Sequence, residues 1–274
     1  MAVALVVLTV AGIGVAAVVS GRPGHAAGVP LPSSMASAGD SITRAFDVNG
    51  SRFLADSLPA SWSTGSDVTV DSHYRRIRRA NPAIGSNAFN DAHTGAAMAD
   101  LDGQLKVAAG QGVQYLTILI GANDLCTPTA AAMTPTATFG AEFDQALSDF
   151  FAADPQARVF VASIPDIFQL WSTMHTDLRA QATWALARIC QSMLSLSGTD
   201  ADRRLVVARE VLDNAALGAV CGRYRNCRWD GNAVYRARFS AAEVSDLDYF
   251  HPSVAGQAAL AATTWAAGYW PGVG

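Results

Sequence analysis

Short segments rich in apolar and β-branched residues constrain the fold of this chain more than any other feature. Residues 113–120 form one such segment, and residues 158–163 form a second. Segments of this length and composition are typical of strands that are buried on both faces of a sheet. Because such a sheet must be covered on both sides, the rest of the chain has to supply the covering layers.

Helical patterns separate these segments along the chain. Residues 96–109 carry apolar side chains at helical spacing and are followed by Gly110 and Gly112. Further helices are predicted for residues 71–80, 135–153, 176–196 and 252–267, and further strands for residues 33–38 and 204–210. Strands that alternate with helices predict an α/β fold with a parallel sheet.

The length and the N-terminal segment predict how the chain is organised. The chain has 274 residues, half of them hydrophobic, and no low-complexity linker divides it, so a single domain is predicted for residues 28–274. Residues 1–19 are almost wholly apolar and uncharged. Because about 20 apolar residues span a bilayer, residues 1–27 are predicted to be a signal peptide or an N-terminal membrane anchor. We therefore expect a protein that is secreted, or held at the cell surface by an uncleaved N-terminal segment.

The charged residues and the missing motifs exclude several classes of function. A formal net charge of -4 argues against a nucleic-acid partner. Lys106 is the only lysine, which excludes a phosphate-loop lysine at the required spacing and argues against a Ser–Lys dyad. The chain also lacks His-Glu-x-x-His, Cys-x-x-Cys and Gly-x-Gly-x-x-Gly motifs. We therefore expect no metal site and no dinucleotide cofactor.

The cysteines fit an oxidising compartment. They are Cys126, Cys190, Cys221 and Cys227. Four cysteines allow three pairings, and the sequence alone does not choose among them. We favour a local Cys221–Cys227 loop and a long Cys126–Cys190 loop, with buried free thiols as the alternative. The long loop would tether the segment that follows Asn123.

Three short segments, far apart in the chain, carry the residue types that acyl transfer requires. They are Gly39-Asp40-Ser41, Gly121-Ala122-Asn123-Asp124 and Asp248-Tyr249-Phe250-His251. A hydroxyl nucleophile needs a base, a carboxylate that orients the base, and donors for the oxyanion that forms. Taken alone, the first two segments also fit ordinary turns or helix caps. However, Ser41 and Asn123 both follow predicted strands, at the edge where open α/β sheets bind ligands.

In this order, the segments resemble the SGNH (GDSL-type) hydrolases of the lipase/acylhydrolase family. The resemblance implies a three-layer α/β/α sandwich around a central, mainly parallel sheet of about five strands, the flavodoxin-like fold of this family. It implies Ser41 as the nucleophile, His251 as the base and Asp248 as the carboxylate that orients the base. The implied oxyanion donors are the backbone N–H groups of Ser41 and Gly95 and the side-chain amide of Asn123.

The resemblance covers residues 34–265 and has one departure. Ala45 stands where many relatives have glycine, which we expect to affect packing beside the nucleophile more than the chemistry. Asp246 also precedes His251, but its separation of five residues does not match the family spacing, which Asp248 does. The other histidines are interpreted as structural: His25, His73, His93 and His175.

The resemblance also implies a function. It implies a hydrolase that acts on carboxylic ester bonds and needs no cofactor. The finer likeness is to exported actinobacterial members that resemble phospholipase B, which implies a lipase or lysophospholipase-like esterase acting on small-molecule or lipid esters. The alternatives are a carbohydrate O-deacetylase or acyltransferase that uses the same site, and a non-catalytic binding protein on this fold. We expect a monomer.

Overall fold

A five-stranded parallel sheet forms the centre of the protein in the computed structural model, which describes residues 29–50 and 52–273. The strands are β1 (Met35–Gly39), β2 (Ala88–Asn90), β3 (Tyr115–Leu119), β4 (Arg158–Val161) and β5 (Cys227–Trp229). Their spatial order is β2-β1-β3-β4-β5, and every neighbouring pair is parallel. The predicted α/β fold with a parallel sheet of about five strands is confirmed.

Helices cover this sheet. They are α1 (His73–Ala80), α2 (Leu101–Gln111), α3 (Ala122–Leu125), α4 (Thr136–Ala153), α5 (Ile167–Met174), α6 (Leu178–Ala187), α7 (Gln191–Leu194), α8 (Asp200–Cys221), α9 (Ala233–Arg236) and α10 (Val254–Ala267). Short 3-10 segments lie at Leu58–Ala60, Pro82–Ile84, Met98–Asp100, Ala130–Ala132 and Ala241–Glu243. Helices α2, α4 and α8 pack side by side. On α1, His73 hydrogen-bonds to Tyr115 of β3 and to Thr264 of α10, which joins these two helices to the sheet.

The burial of the strands explains which of them the sequence predicted. Every residue of β1 and β3 is buried, and so are three of the four residues of β4. Burial on both faces accounts for their continuous apolar sequences. The edge strands β2 and β5 have three residues each and are only partly buried or exposed. They are too short and too polar to give a strand pattern, so neither strand was predicted from the sequence.

The strand predicted at residues 204–210 is wrong, because these residues lie within helix α8. A capping box of Thr199 and Asp202 begins the helix. Its buried side chains recur every three or four residues, which is the helical period: Arg203, Val206, Glu210, Asp213, Leu217 and Val220. Half of the eight buried residues of this helix are polar, including Asn214, so the apolar pattern of a helix is hidden and the short apolar run resembles a strand.

The helix predicted at residues 176–196 is interrupted. It is divided into α6 and α7 by Arg188 and Cys190, whose φ values of 54° and 43° lie in the left-handed region. Cys190 forms a disulfide with Cys126, and Cys221 forms one with Cys227. This is the pairing that we favoured from the sequence. The disulfide therefore joins Cys126, the residue after α3, to the break between α6 and α7.

Residues Leu31–Gly274 form one compact unit of the chain. The predicted signal peptide or anchor, residues 1–27, lies outside the described residues. Among the helices that the structure describes, none is long and apolar enough to cross a lipid bilayer.

Candidate active site

The carboxyl ends of β1 and β3 bring the first two motifs to one edge of the sheet. Gly39, the last residue of β1, pairs with Leu119, the last residue of β3. Ser41 and Asn123 follow these strand ends closely in the sequence. Both residues therefore emerge at the edge where open α/β sheets bind ligands.

Gly39 allows the chain to turn directly into Ser41. Its φ is +144°, and a Cβ atom built there would lie 2.1 Å from the carbonyl oxygen of Leu119. No other residue fits, so β1 approaches β3 this closely only because the position is glycine. The side chain of Gln104 fixes the strand end, since its oxygen accepts from Gly39 N–H at 2.7 Å and its amide donates to the Gly39 carbonyl at 3.0 Å.

Ala45, the departure from the family sequence, has a φ of +50°. This left-handed conformation favours glycine. The position therefore constrains the backbone of the turn as well as the packing that we expected it to affect.

The third motif meets the first at this edge. The Oγ of Ser41 lies 2.8 Å from Nε2 of His251, and Nδ1 of His251 lies 2.5 Å from Oδ2 of Asp248. All three residues are buried, with relative exposures of 7%, 9% and 3% respectively. The structure thus joins the predicted nucleophile, base and carboxylate in one hydrogen-bonded chain.

The carboxylate of Asp248 is held by the turn that it precedes. Its second oxygen accepts backbone N–H groups from Phe250 at 2.9 Å and from His251 at 3.0 Å. Tyr249, which follows Asp248, has a φ of +58°, and its carbonyl accepts a hydrogen bond from the indole of Trp184 at 3.1 Å. One oxygen of Asp248 therefore closes the turn, while the other is directed at the imidazole.

The imidazole of His251 is enclosed by aromatic rings. Phe46 and Phe250 approach it edge-on, with ring centroids 5.1 Å and 4.9 Å away. The carbonyl of His251 accepts from Ser245 N–H at 2.8 Å. Asp246, the other carboxylate near His251 in sequence, instead accepts a hydrogen bond from the amide of Asn49 at 2.8 Å.

The predicted oxyanion donors have unused hydrogens. The side-chain amide of Asn123 donates to the carbonyl of Ala96 at 2.9 Å, which engages one of its two N–H groups. Within residues 29–50 and 52–273, neither Ser41 N–H nor Gly95 N–H donates a hydrogen bond to the protein. The bond between Asn123 and Ala96 also ties the second motif to the segment that contains Gly95.

Gly95 lies in a turn and not at a helix start. Its φ is +86°, and the 3-10 segment that follows begins at Met98. A Cβ atom built on Gly95 would have no heavy atom within 4 Å, so the space beside this residue is open. An open glycine leaves room for a ligand to approach the backbone.

Asp40, in the segment that by sequence also fits a turn or helix cap, is a fully buried acid. Its Oδ1 accepts from Ile42 N–H at 2.9 Å, and its fully buried Oδ2 has no partner in the part of the chain that the structure describes. Burial raises the pKa of Asp40 to about 7, and the negative charge of Asp124 adds to this shift. The Ile42 N–H group and His251 act in the opposite direction. The combination of a Gly-Asp-Ser sequence with a fully buried strand end is the signal that could have indicated a perturbed acid here.

A largely apolar pocket of about 630 Å³, counted with the solvent at its open mouth, is lined by sequence neighbours of the site residues and not by Ser41, His251 or Asn123 themselves. Ile42, Ala122, Phe250 and Pro252, which are neighbours in sequence of Ser41, Asn123 and His251, form part of its wall. The rest comes from α5, from the 239–244 segment and from α10: Ile167, Gln169, Leu170, Thr173, Phe239, Glu243, Val244 and Leu260, with Pro165 and Asp166 before α5. The sequence carries no signal for this pocket, because its walls come from distant segments without a shared motif.

Among the other histidines, His73 has the clearest structural role. It is fully buried between the hydroxyl of Tyr115 at 2.9 Å and that of Thr264 at 2.8 Å. Burial lowers the pKa of His73 to about 3, so the ring is neutral in the core. His25 lies outside the described residues. In the described ranges, no group of three or more His, Cys, Asp or Glu side chains is arranged to hold a metal ion.

Comparisons with solved structures agree with this fold. TesA is 14% identical, with a TM-score of 0.53 over 85% of this chain and 97% of that one. A putative GDSL-like lipase from Parabacteroides merdae is 16% identical, with a TM-score of 0.54 over 85% and 94%. A catalytic mutant of Axe2, an acetylxylan esterase from Geobacillus stearothermophilus, is 15% identical, with a TM-score of 0.51 over 85% and 93%.

The comparison with family sequence models is more specific. No curated protein matches the chain by sequence. The GDSL-like lipase/acylhydrolase model matches residues 38–259, which include all three motifs and most of the chain. The chain therefore belongs to the GDSL-like lipase/acylhydrolase family and is a hydrolase of carboxylic esters.

Proposed function

We propose that this protein is an exported serine esterase that acts through Ser41, His251 and Asp248. The observation that carries the proposal is the hydrogen-bonded chain from Ser41 Oγ through His251 to the carboxylate of Asp248. When Nδ1–H donates to the carboxylate, Nε2 carries no proton and accepts the hydrogen bond of Ser41. This is the arrangement of a hydroxyl nucleophile beside an oriented base.

In the first half of the proposed reaction, Ser41 Oγ bonds to the ester carbonyl carbon while its proton moves to Nε2 of His251. The carbonyl π electrons move to oxygen and form a tetrahedral oxyanion. The oxyanion then collapses, the bond to the alcohol oxygen breaks, and the protonated His251 gives its proton to the alcohol. Throughout, Asp248 stabilises the imidazolium.

In the second half, water attacks the acyl carbon on Ser41 as His251 takes one of its protons. The bond from the acyl carbon to Oγ breaks, and His251 returns the proton to Ser41. The products are the carboxylic acid and the regenerated enzyme, so no cofactor takes part.

The proposed oxyanion donors are the N–H groups of Ser41 and Gly95 and the second amide hydrogen of Asn123. The support is that each lacks a partner among the described residues. Removing one such donor costs about 10²–10³-fold in kcat in serine hydrolases. Asn123→Ala is expected to lower kcat by that amount in a protein that remains folded by circular dichroism. A kcat within twofold of wild type would remove Asn123 from the mechanism.

The pocket supports an acyl chain as the part of the substrate that is bound. Its apolar side chains, among them Ile42, Leu170 and Phe250, would bury methylene groups close to the attacked carbonyl. Each buried methylene contributes about 0.8 kcal/mol, so a chain of several carbons should bind better than acetate. We therefore favour a lipase or lysophospholipase-like esterase over a carbohydrate O-deacetylase.

The two disulfides support export, because such bonds persist in oxidising compartments. Residues 1–27 would direct this export as a leader or hold the protein at the surface as an anchor, with residues 28–274 as the catalytic domain.

The test is the hydrolysis of p-nitrophenyl acetate, butyrate, octanoate and palmitate, and of lysophosphatidylcholine, by wild type and Ser41→Ala. Wild type should prefer a chain longer than acetate, and Ser41→Ala should lose the activity while keeping its fold. Activity confined to acetate and acetylated glycans would favour the O-deacetylase. Activity that survives Ser41→Ala would overturn the site, and two folded but inactive proteins would support a non-catalytic binding role.

A further inference from the structure

The segment that carries Gly95 is tied to its surroundings on both sides of this glycine. Before it, Asp91 N–H donates to the Ser37 carbonyl at 2.8 Å and His93 N–H donates to the Gly39 carbonyl at 3.1 Å. After it, the Ala96 carbonyl accepts from Asn123. Gly95 itself makes no backbone hydrogen bond as a donor in the described residues.

The side chain of Arg44 extends from the nucleophile segment to the same region, where Asp56 joins it. Nη1 of Arg44, three residues after Ser41, donates to the carbonyl of Ala92 at 2.9 Å. Nε of Arg44 forms an ion pair with Oδ2 of Asp56. The other oxygen of Asp56 accepts the hydroxyl of Thr94 at 2.6 Å. Arg44 therefore holds Ala92 and Asp56 holds Thr94, and these are the two residues on either side of His93.

These ties matter because Gly95 lies inside a turn that one backbone hydrogen bond closes, from Ala96 N–H to the His93 carbonyl at 3.1 Å. The residue has no side chain, adopts a positive φ, and has open space where a Cβ would stand. Glycine is conformationally permissive, so the direction of its N–H depends on how its neighbours are held. The Arg44–Asp56 pair has side-chain exposures of 20% and 27%, which makes it weak as a source of global stability. Its effect is expected on local geometry.

We propose that Arg44, Asp56 and Thr94 are positioning residues that aim the Gly95 N–H at the developing oxyanion. The inference rests on the proposed role of Gly95 in catalysis. It gives a role to Arg44, which follows the Gly-Asp-Ser motif, and to Asp56 and Thr94, which belong to no motif. The three side chains link the turn after Ser41 to the segment that carries Gly95. The turn and the Gly95 N–H group therefore move as one unit.

The expected effect lies on kcat. A donor that meets charge only in the transition state changes kcat and leaves KM nearly unaltered. A displacement on the order of 1 Å in a catalytic group costs about 10²-fold. Asp56→Ala, which removes the partner of both Arg44 and Thr94, is therefore expected to lower kcat by about 10–100-fold with KM within about threefold.

The chain offers a matched test at the level of one hydroxyl. Thr94→Val removes the bond to Asp56, and Thr94→Ser retains it. Thr69 is the control, because its exposed hydroxyl also donates to an aspartate, Oδ1 of Asp67, at 2.7 Å. We expect Thr94→Val to lower kcat by about 3–10-fold, and Thr94→Ser and Thr69→Val to remain within twofold of wild type.

A second readout separates positioning from a general loss of structure. The inhibition constant of a trifluoromethyl ketone, which forms a tetrahedral oxyanion on Ser41, should rise in step with the fall in kcat/KM across these variants. If Asp56→Ala does not fold, Thr94→Val and Thr94→Ser still decide the question. Wild-type kcat in Thr94→Val, or an unchanged inhibition constant, would overturn the inference while Ser41-dependent hydrolysis remained intact. Ester hydrolysis that survives in Ser41→Ala would overturn the proposed function together with this inference.

Discussion

The carboxylate of Asp248 contacts both a backbone turn and the imidazole of His251. One of its oxygens accepts two backbone N–H groups and the other accepts Nδ1–H of His251. A carboxylate is suited to this position because both oxygens are acceptors. An amide in its place would keep one acceptor for the turn but would present N–H groups to the imidazole.

Asp248→Asn is therefore expected to fold normally and to lose turnover. With an amide opposite Nδ1, the imidazole would be held in the wrong tautomer, and the loss in kcat reaches about 10⁴-fold in the best-studied triad. Asp246→Asn is the control, because Asp246 bonds to Asn49 and not to His251. Steady-state kinetics on a p-nitrophenyl ester measure both. A strong effect in Asp246→Asn with little effect in Asp248→Asn would reverse the assignment.

Asp40 makes stability depend on pH. Its carboxyl titrates near 3.8 in an unfolded chain, whereas burial raises the pKa of the folded group to about 7. Between these values the folded state holds a proton that the unfolded state has released. The contribution of Asp40 to stability is therefore highest below about pH 4 and falls as the pH rises to about 7.

Asp40→Asn should remove this dependence. The difference between a pKa of 3.8 and one of about 7 corresponds to about 4 kcal/mol, so the variant should gain stability relative to wild type by up to that amount between pH 4 and pH 7. Asp124 and His251 are the charged groups that face Asp40, and both are present in the two proteins. Urea unfolding at the two pH values gives the difference. A difference in unfolding free energy that is the same at pH 4 and pH 7 would contradict a raised pKa.

At the scale of elements, α3 carries Asn123 and is held from outside the sheet. Its C-terminal neighbour Cys126 is bonded to Cys190, and Ser192 of α7 donates its hydroxyl to the Leu125 carbonyl at 2.6 Å. The disulfide closes a loop with a sequence separation of 64, whereas the Cys221–Cys227 bridge has a separation of 6. The first bridge thus combines a large loop with a position next to the proposed oxyanion donor.

The two bridges give a matched pair of variants. Chain entropy predicts that Cys126→Ser with Cys190→Ser lowers the unfolding free energy by about 4 kcal/mol, and that Cys221→Ser with Cys227→Ser lowers it by about 2 kcal/mol. We expect kcat to fall severalfold in the first double variant only, because it loosens α3. Denaturant unfolding and steady-state kinetics test both expectations. Equal effects of the two double variants on kcat would show that the long bridge serves stability alone.

Helix α8 illustrates why an element can be predicted wrongly. Its buried face supplies polar groups to the segment after β4: Asn214 bonds to both the N–H and the carbonyl of Ile164, and Glu210 accepts from Ile167 N–H. Burial also raises the pKa of Glu210 well above its ordinary value. These side chains hold the segment that borders the pocket. A helix that uses acids and amides to support a loop does not show the apolar stripe on which periodicity depends.

At the scale of the whole molecule, the sequence predicted the parts that obey local rules. The buried strands β1, β3 and β4 were evident because burial on both faces requires apolar residues. The proximity of Ser41 and Asn123 followed from parallel strands ending at one edge. The edge strands, the break at Arg188 and the pocket depend on contacts between distant segments, and no local pattern encodes them.

The candidate site shows the same division. Asp248 and His251 have the spacing of the family motif, and the hydrogen bonds between Asp248 and His251 and between His251 and Ser41 agree with the resemblance to the family. The buried state of Asp40 and the ties from Arg44 to the Gly95 segment required the folded chain, since each depends on what surrounds a side chain. Sequence motifs thus indicate the proposed reacting groups, whereas the folded structure identifies the residues that hold them.

The most direct test of the central claim is to map the adduct that the protein forms with a fluorophosphonate. The reagent bonds covalently to an activated serine hydroxyl, and peptide mass spectrometry locates the modified residue. We predict one adduct per chain, on Ser41, with none in Ser41→Ala and a much slower reaction in Asp248→Asn. An adduct on another residue, or a folded wild-type protein that is not modified, would contradict the assignment of Ser41 as the nucleophile.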